Sequence, residues 1–240
     1  MPPTPPAHVV IFGRPGSGKT SLAERLGAEH GYTLVRTGEM LRAAVLRGDD
    51  LGRRVQAHLA AGELVPDPLI FELLGRNLAR PGTSRLLFDG FPRTLGQVPL
   101  LEEFERRLDF RIDCYLEIAV GHAAAVARMN GRRVCPKCGA IYHLVTRPPR
   151  VDETCDLDGS PLERRADDAP GVVEVRQRVY DAHATPILDH YRTRFPDLYR
   201  RVDGEQPPEA VYADARRALG LGTTADDKES DERTTRDVRR

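Results

Sequence analysis

Lysine is nearly missing from this chain. Lys19, Lys137 and Lys228 are the only three, and every other one of the 36 basic side chains is arginine. The planar arginine fork suits bidentate binding of phosphate, so the bias permits phosphate chemistry, although a skewed genome composition would produce it equally well. Net charge is missing too, because 36 acidic residues balance the 36 basic ones. That argues against a nucleic-acid or membrane-surface footprint, either of which needs a basic excess. No apolar run reaches the roughly 18–20 residues that span a bilayer. The start, "MPPTPPAH", lacks the basic and apolar regions of a signal peptide, so a cytoplasmic location is the expectation. Cysteine is scarce, at four residues. In a reducing compartment these read as metal ligands or core residues rather than disulfides. Cys114, inside the apolar run "IDCYLEI", reads as a buried, inert thiol.

What is present is a soluble, globular composition, with 40% hydrophobic and 30% charged residues over 240 positions. It suffices for one core with small insertions. Short apolar runs alternate with longer helical patterns: "HVVIF" (8–12), "YTLV" (32–35), "RLLFDG" (85–90), "DCYLEI" (113–118) and "LYRRVDG" (198–204). Five such runs separated by helices predict a parallel sheet with helices on both faces. Pro186 is expected to kink or divide the helix over 172–192. Two segments interrupt the alternation, a helical one at 38–66 and a cysteine-bearing one at 132–168. The Pro-rich 1–7 and the polar 223–240 have little to bury and are expected to be disordered.

Gly13-Arg14-Pro15-Gly16-Ser17-Gly18-Lys19-Thr20 fits G-x-x-x-x-G-K-[ST], after a strand-like run and before a helix-like one. Glycines there let backbone N–H groups curl around phosphate oxygens, and the helix N-terminus adds positive potential. Lys19 would reach the β- and γ-phosphates. Asp89, ending "LLF", can hold Mg²⁺ directly or through water, or can simply form the turn at "DGFP". The stretch "CPKCGAIYHLVTRPPRVDETCDLD" holds Cys-x-x-Cys, sixteen residues, then Cys-x-x-Asp. Two such knuckles have the spacing of a metal site. Three unligated thiols, a disulfide with one cysteine left over, and His143 in place of Asp158 are the alternatives.

With Asp89-Gly90-Phe91-Pro92-Arg93-Thr94 and Gln97 added, the sequence resembles the adenylate kinase family over roughly residues 8–222. "TGEMLR" (37–42), "GELV" (62–65), "GRRV" (131–134), "RADD" (165–168) and "VDG" (202–204) follow in that family's order. The resemblance implies a three-layer α/β P-loop NTPase fold around a five-stranded parallel sheet. It also implies a core of 8–35, 67–130 and 169–222, a helical monophosphate-binding insertion (36–66) and a lid (131–168). It further implies reversible transfer of the terminal phosphoryl group of ATP-Mg²⁺ to AMP, giving two ADP, by a monomer without nucleic-acid or membrane partners. Carried over by motif, Gly13, Pro15 to Ser21, Arg128, Arg132 and Gly204 would meet ATP. Gly16, Ser17, Gly18, Lys19 and Thr20 fall within that run. Thr37, Arg42, Leu64, Val65, Gly90, Arg93, Gln97, Arg165 and Arg176 would meet AMP, with Gln97 reading the adenine edge. Lys19, Asp89, Arg93, Arg132, Arg165 and Arg176 would serve the transfer itself, with Arg178 as an alternative to Arg176.

Those roles agree with the chemistry. Charge gathers on the oxygens of the moving group, so positioning and cationic clamps carry most of the catalysis. The attacking phosphate is already ionised and needs no general base. The cysteine stretch resembles the zinc-bearing lids of bacterial members, with Cys135, Cys138, Cys155 and Asp158 holding structural Zn²⁺. A segment so small and poor in large apolar side chains needs such a staple. This chain departs from the family in two places. Thr20 and Ser21 follow Lys19 where Gly and Thr are usual, and Ala169-Pro170-Gly171 replaces an acidic pair at the lid exit. Competing readings are a kinase for another nucleoside monophosphate, and a P-loop protein whose ribbon binds nucleic acid.

Overall fold

A computed structural model describes residues 5–78 and 85–222. The expectation for 223–240 and for 1–4 lies outside the described residues. Pro6 and Ala7 are tied down, contrary to the expectation for 1–7. The Pro6 carbonyl accepts from the Tyr32 hydroxyl (2.7 Å), and the Ala7 N–H donates to Asp113 Oδ2 (2.8 Å).

Chain order is β1 (His8–Phe12), α1 (Lys19–His30), β2 (Thr33–Arg36), α2 (Thr37–Arg47), α3 (Asp50–Ala61), α4 (Asp67–Leu78), β3 (Leu86–Asp89), α5 (Val98–Leu108), β4 (Cys114–Ala119) and α6 (His122–Gly131). There follow β5 (Arg132–Val134), β6 (Ile141–His143), α7 (Pro170–Arg194), β7 (Tyr199–Asp203) and α8 (Pro208–Ala218). Five strands form a parallel sheet ordered β2-β3-β1-β4-β7, with register Val10↔Phe88 and Val10↔Tyr115 across β1. β1 is central and buried on both faces, which is why it reads as an unbroken apolar run. Its alternating side chains divide the core. Val10 and Phe12 join Leu73, Phe88, Leu101 and Tyr191 on one face, while Val9 and Ile11 join Leu26, Leu116 and Ala215 on the other. Cys114 is buried in that second layer, and desolvation pushes its thiol up to about 12. This is the buried thiol that its context predicts.

Chain order leaves β1 toward β2 and β3, then crosses to β4 on the other side. This switch point opens a crevice at the carboxyl ends of the strands, where open α/β sheets bind ligands. Both insertions fold over that crevice. α2 and α3 approach so closely that a Cβ on Gly52 would fall 2.1 Å from the Ala44 carbonyl oxygen.

Pro186 does not divide α7, which runs unbroken for 25 residues. Pro186 is exposed, while Ala184, Ile187 and Tyr191 are buried on either side of it. Water can take the carbonyl that the ring strands, and packing offsets a proline cost of about 3 kcal/mol. Pro170 and Gly171 likewise begin the first turn of α7 rather than lying in a loose hinge. Proline suits that turn because its missing N–H would be unpaired there anyway.

Candidate active site

The loop from Gly13 to Gly18 leaves β1 and enters α1, whose N-terminus carries no side-chain cap. Its first N–H groups and the helix dipole are therefore offered to an anion. Gly16 (φ +88°) passes so near α6 that a Cβ would sit 2.4 Å from the Ala125 carbonyl oxygen. A side chain there would push the loop off its support. Lys19 folds back over the loop and donates to the Arg14 carbonyl (3.1 Å). Arg14 reaches away from the loop, bonding Gln177 Oε1 (2.9 Å) and Asp181 Oδ1 (2.5 Å) on α7. Gln177, fully buried, donates to the Pro15 carbonyl (3.0 Å).

Thr20, one residue into α1, donates its hydroxyl to Asp89 Oδ2 at 2.6 Å. Asp89 ends β3 and is itself buried. Gly90 follows at φ +87°, and a Cβ there would meet Arg93 Nη2 at 2.7 Å and Thr37 Oγ1 at 2.9 Å. The absent side chain lets both groups close on the loop: Thr37 donates to the Gly90 carbonyl (2.7 Å), as does Arg93 Nε (2.8 Å).

Opposite the loop, the arginines of the second insertion meet a pair of carboxylates. Asp168 is 0% exposed and accepts from Arg132 Nε (2.7 Å), Arg132 Nη2 (2.5 Å) and Arg176 Nη1 (3.0 Å). Asp167 accepts from Arg165 Nε (3.1 Å) and Arg176 Nη1 (3.1 Å), and Arg42 Nη1 from the first insertion lies 3.8 Å from it. Six cations (Lys19, Arg42, Arg93, Arg132, Arg165, Arg176) thus face three carboxylates (Asp89, Asp167, Asp168). Burial pushes Lys19 down to about 8, with Asp89 opposing and Arg93, Arg176 and Arg132 adding. Burial also takes Arg42 and Arg176 down to about 10. Asp167 is held below the usual carboxylate range by Arg165, Arg176 and Arg42, against the opposing effect of its burial. Such a site is short of negative charge.

One cleft of about 1320 Å³ joins these groups. Every residue that the motifs place near nucleotide lines it, from Gly13 and the Pro15–Ser21 run through Thr37, Arg42, Leu64, Val65, Asp89, Gly90, Arg93 and Gln97 to Arg128, Arg132, Arg165, Arg176 and Gly204. Of the two arginines in "VRQR", Arg176 lines the cleft and Arg178 is exposed. Sequence reasoning missed the counter-charges Asp167 and Asp168, although "RADD" was in view. It also missed Ile141, Tyr142 and Glu205–Pro208 on the cleft wall.

The four candidate ligands of the cysteine ribbon do not line this cleft, although Ile141 and Tyr142 between them do. Two matching turns, Cys135–Gly139 and Cys155–Gly159, each close with the glycine N–H donating to the first cysteine carbonyl (3.0 and 2.9 Å). They place one donor atom each from Cys135, Cys138, Cys155 and Asp158 within 4.8 Å of one another. Cys138 and Cys155 Sγ are 3.5 Å apart, and Cys135 Sγ is 3.4 Å from Asp158 Oδ2. Ligand arms of about 2.0–2.3 Å around tetrahedral zinc give edges of roughly 3.5–3.8 Å, so the donor set fits that ion. His143 is outside the group. Its Nδ1 accepts from the Val145 and Thr146 N–H groups (3.1 Å each), as a hydrogen-bonding role requires. Tyr142 completes the outer layer, its hydroxyl accepting from the Asp156 N–H (2.8 Å) and lying 3.5 Å from Cys155 Sγ.

Comparison with known proteins agrees with this geometry. Residues 11–195 match the family model described as adenylate kinase. The adenylate kinase of Thermococcus onnurineus is 39% identical over 205 residues, covering 85% of this chain and 90% of that protein. Those of Exiguobacterium sibiricum (37% over 214 residues, 89% and 99% covered) and Archaeoglobus fulgidus (36% over 206 residues, 85% and 94% covered) are similarly related.

Proposed function

The chain belongs to the adenylate kinase family and transfers the terminal phosphoryl group of ATP to AMP, and from that premise we propose how its residues divide the work. The observation that carries the reading is the convergence of six cations, from the P-loop, both insertions, the turn after β3 and α7, on one cleft at the carboxyl end of the sheet. The Gly13–Gly18 loop and Lys19 hold the β- and γ-phosphates of ATP. Arg128 and the backbone at Gly204 bound its base. Arg42, Arg93 and Thr37 hold AMP, whose base lies against Leu64 and Val65 with Gln97 at its edge.

In the transfer, an AMP phosphate oxygen forms a bond to the γ-phosphorus as the β–γ bridging bond breaks, and the electron pair leaves on ADP. No proton has to move first. Arg132, Arg165 and Arg176 surround the equatorial oxygens, where the charge gathers. Asp167 and Asp168 keep those guanidiniums placed when phosphate is absent. Mg²⁺, arriving with ATP, supplies charge neutralisation on the β- and γ-oxygens. Asp89 and Thr20, already bonded to each other, are the residues that would hold it. Residues 36–66 and 131–168 act as the two mobile parts over a core of 8–35, 67–130 and 169–222. Cys135, Cys138, Cys155 and Asp158 hold a structural zinc, which stiffens the lid. Among the described residues no helix is long and apolar enough to cross a membrane. A cytoplasmic monomer is the state we assign.

The test is ADP production from ATP-Mg²⁺ with AMP, GMP, UMP or CMP, on protein of measured zinc content. Turnover that depends on AMP, with about one zinc per chain, is expected. Absence of turnover with every monophosphate would overturn the assignment.

A further inference from the structure

We propose that Asp67 sets the base selectivity of the monophosphate site by fixing which way round the Gln97 amide is held. The inference rests on the reading that Gln97 meets the AMP base, and adds what makes that contact discriminating.

Gln97 is 3% exposed, lines the cleft, and closes the turn before α5. Two internal bonds hold its amide. Oε1 accepts from the Arg93 backbone N–H (2.8 Å), and Nε2 donates to Asp67 Oδ1 (2.8 Å). A backbone N–H can only donate, and a carboxylate at neutral pH can only accept. Turning the amide over would set its carbonyl against the carboxylate and its NH₂ against the N–H. Both contacts would become repulsive inside a buried site. The amide therefore has one orientation. Asp67 reaches it from the first turn of α4, where a carboxylate also suits the helix dipole. Gly96 keeps the approach open, since a Cβ there would lie 3.1 Å from Asp67 Oδ2.

An amide has two N–H bonds and two carbonyl lone pairs. The internal bonds use one of each. What remains for a base is one donor and one acceptor in a fixed order. Adenine presents an amino donor beside the N1 acceptor. Guanine and hypoxanthine present a carbonyl acceptor beside an N1–H donor, which is the reverse order. A freely turning glutamine would serve both equally. A locked one serves a single order, and Asp67 is half of the lock. It touches no substrate and acts through Gln97 as a positioning residue.

Inosine monophosphate is the appropriate probe, because its base differs from that of AMP only at this edge. The full chain would be assayed with AMP and with inosine monophosphate as wild type, Asp67→Asn, Asp67→Ala and Gln97→Ala. In Asp67→Ala the ratio of kcat/KM for AMP to that for inosine monophosphate should fall by roughly tenfold or more, the size expected when a buried polar group loses its partner, and by less in Asp67→Asn, whose Oδ1 can still accept. The change should sit in the monophosphate KM, with the ATP KM held. A ratio unchanged in both Asp67 variants, while Gln97→Ala weakens AMP, would overturn the lock and leave the Gln97 contact standing. Equal losses for both substrates with a lowered Tm would assign Asp67 to helix stability alone and also overturn it. An unchanged AMP KM in Gln97→Ala would instead overturn the reading beneath. Should the Asp67 variants fail to fold, NMR of the wild type decides. The Gln97 side-chain NH₂ should exchange slowly with water, and exchange as fast as that of a solvent-exposed amide would refute the lock.

Discussion

Replacing Asp168 by Asn changes one oxygen to NH₂ and tests whether the buried carboxylate organises the arginines. The native side chain accepts three bonds, two from Arg132 and one from Arg176, and has no contact with solvent. Asparagine keeps one acceptor and turns a donor toward a guanidinium that can only donate. Breaking a buried charge pair in this way costs about 3–5 kcal/mol. Both arginine side chains keep nearly a fifth of their exposure (18% and 19%), so solvent recovers part of the loss and the lower figure, ~3 kcal/mol, applies. For a protein of this size each kcal/mol shifts Tm by about 2–4 °C, which predicts a fall of roughly 6–12 °C for the ligand-free protein at pH 7. Thermal unfolding by circular dichroism reads it directly. kcat should fall as well, because Arg132 and Arg176 lose their common anchor. Asp167→Asn, at a position 15% exposed, should cost less. A Tm within 2 °C of wild type for Asp168→Asn would refute the reasoning, showing that the buried bonds do no more than repay desolvation.

Three further perturbations test the rest of the site. With its free-state pKa down at about 8 through burial, Lys19 is half neutral near pH 8, and phosphate favours its protonated form. Nucleotide binding at pH 8.5 should therefore take up on the order of half a proton or more, and affinity should fall as pH rises through 8. Calorimetry in two buffers that finds no uptake, or release, would contradict this. Removing metal with a chelator should lower Tm and expose 131–168 to protease; Asp158→Ala should do the same, and Asp158→Cys should retain about one zinc per chain. Chelation without effect on either readout would deny the metal a structural role. Thr20→Val should weaken Mn²⁺ affinity of the ATP complex, measured by electron paramagnetic resonance, by about tenfold, the worth of one charge-assisted bond. Thr20→Ser should restore it, and equal affinities would remove Thr20 from the metal site.

Local chemistry explains which parts of this molecule were legible in the sequence. A parallel strand buried on both faces has to be a short apolar run between turns, so "HVVIF" and "DCYLEI" give β1 and β4 almost to the residue. Gly16, Gly18 and Lys19 carry their meaning in spacing alone, as do Cys135 and Cys138. Asp167 and Asp168 were harder. An acidic pair after arginines reads as an ordinary solvated surface, and only the return of α7 brings Arg176 onto it. Asp67 and Gln97 are 30 positions apart, and no local period announces that they meet. Pro186 does not divide α7 for the opposite reason. Its local rule is sound, but burial of Ile187 and Tyr191 in the core outweighs it.

The two unusual features of the second insertion answer one physical problem. Its arginines must cluster to meet a phosphoryl group whose charge is spread over three oxygens, yet clustering like charges in a buried cleft is unfavourable when the cleft is empty. Asp167 and Asp168 relieve this locally and sit at the junction where the insertion rejoins α7. They pair with Arg132, Arg165 and Arg176 and offset part of their charge. They cannot also hold the insertion in shape, because its own apolar cluster contains just Cys135, Tyr142, Cys155 and Leu162, with Ala140 beside them. On the proposed reading that rigidity comes from a metal held by the four donors gathered in two matching turns, none of which lines the cleft. Charge would thus be balanced where the insertion rejoins α7, and shape held at the two cysteine turns. A metal held there would stiffen the insertion without using the carboxylates that balance its arginines.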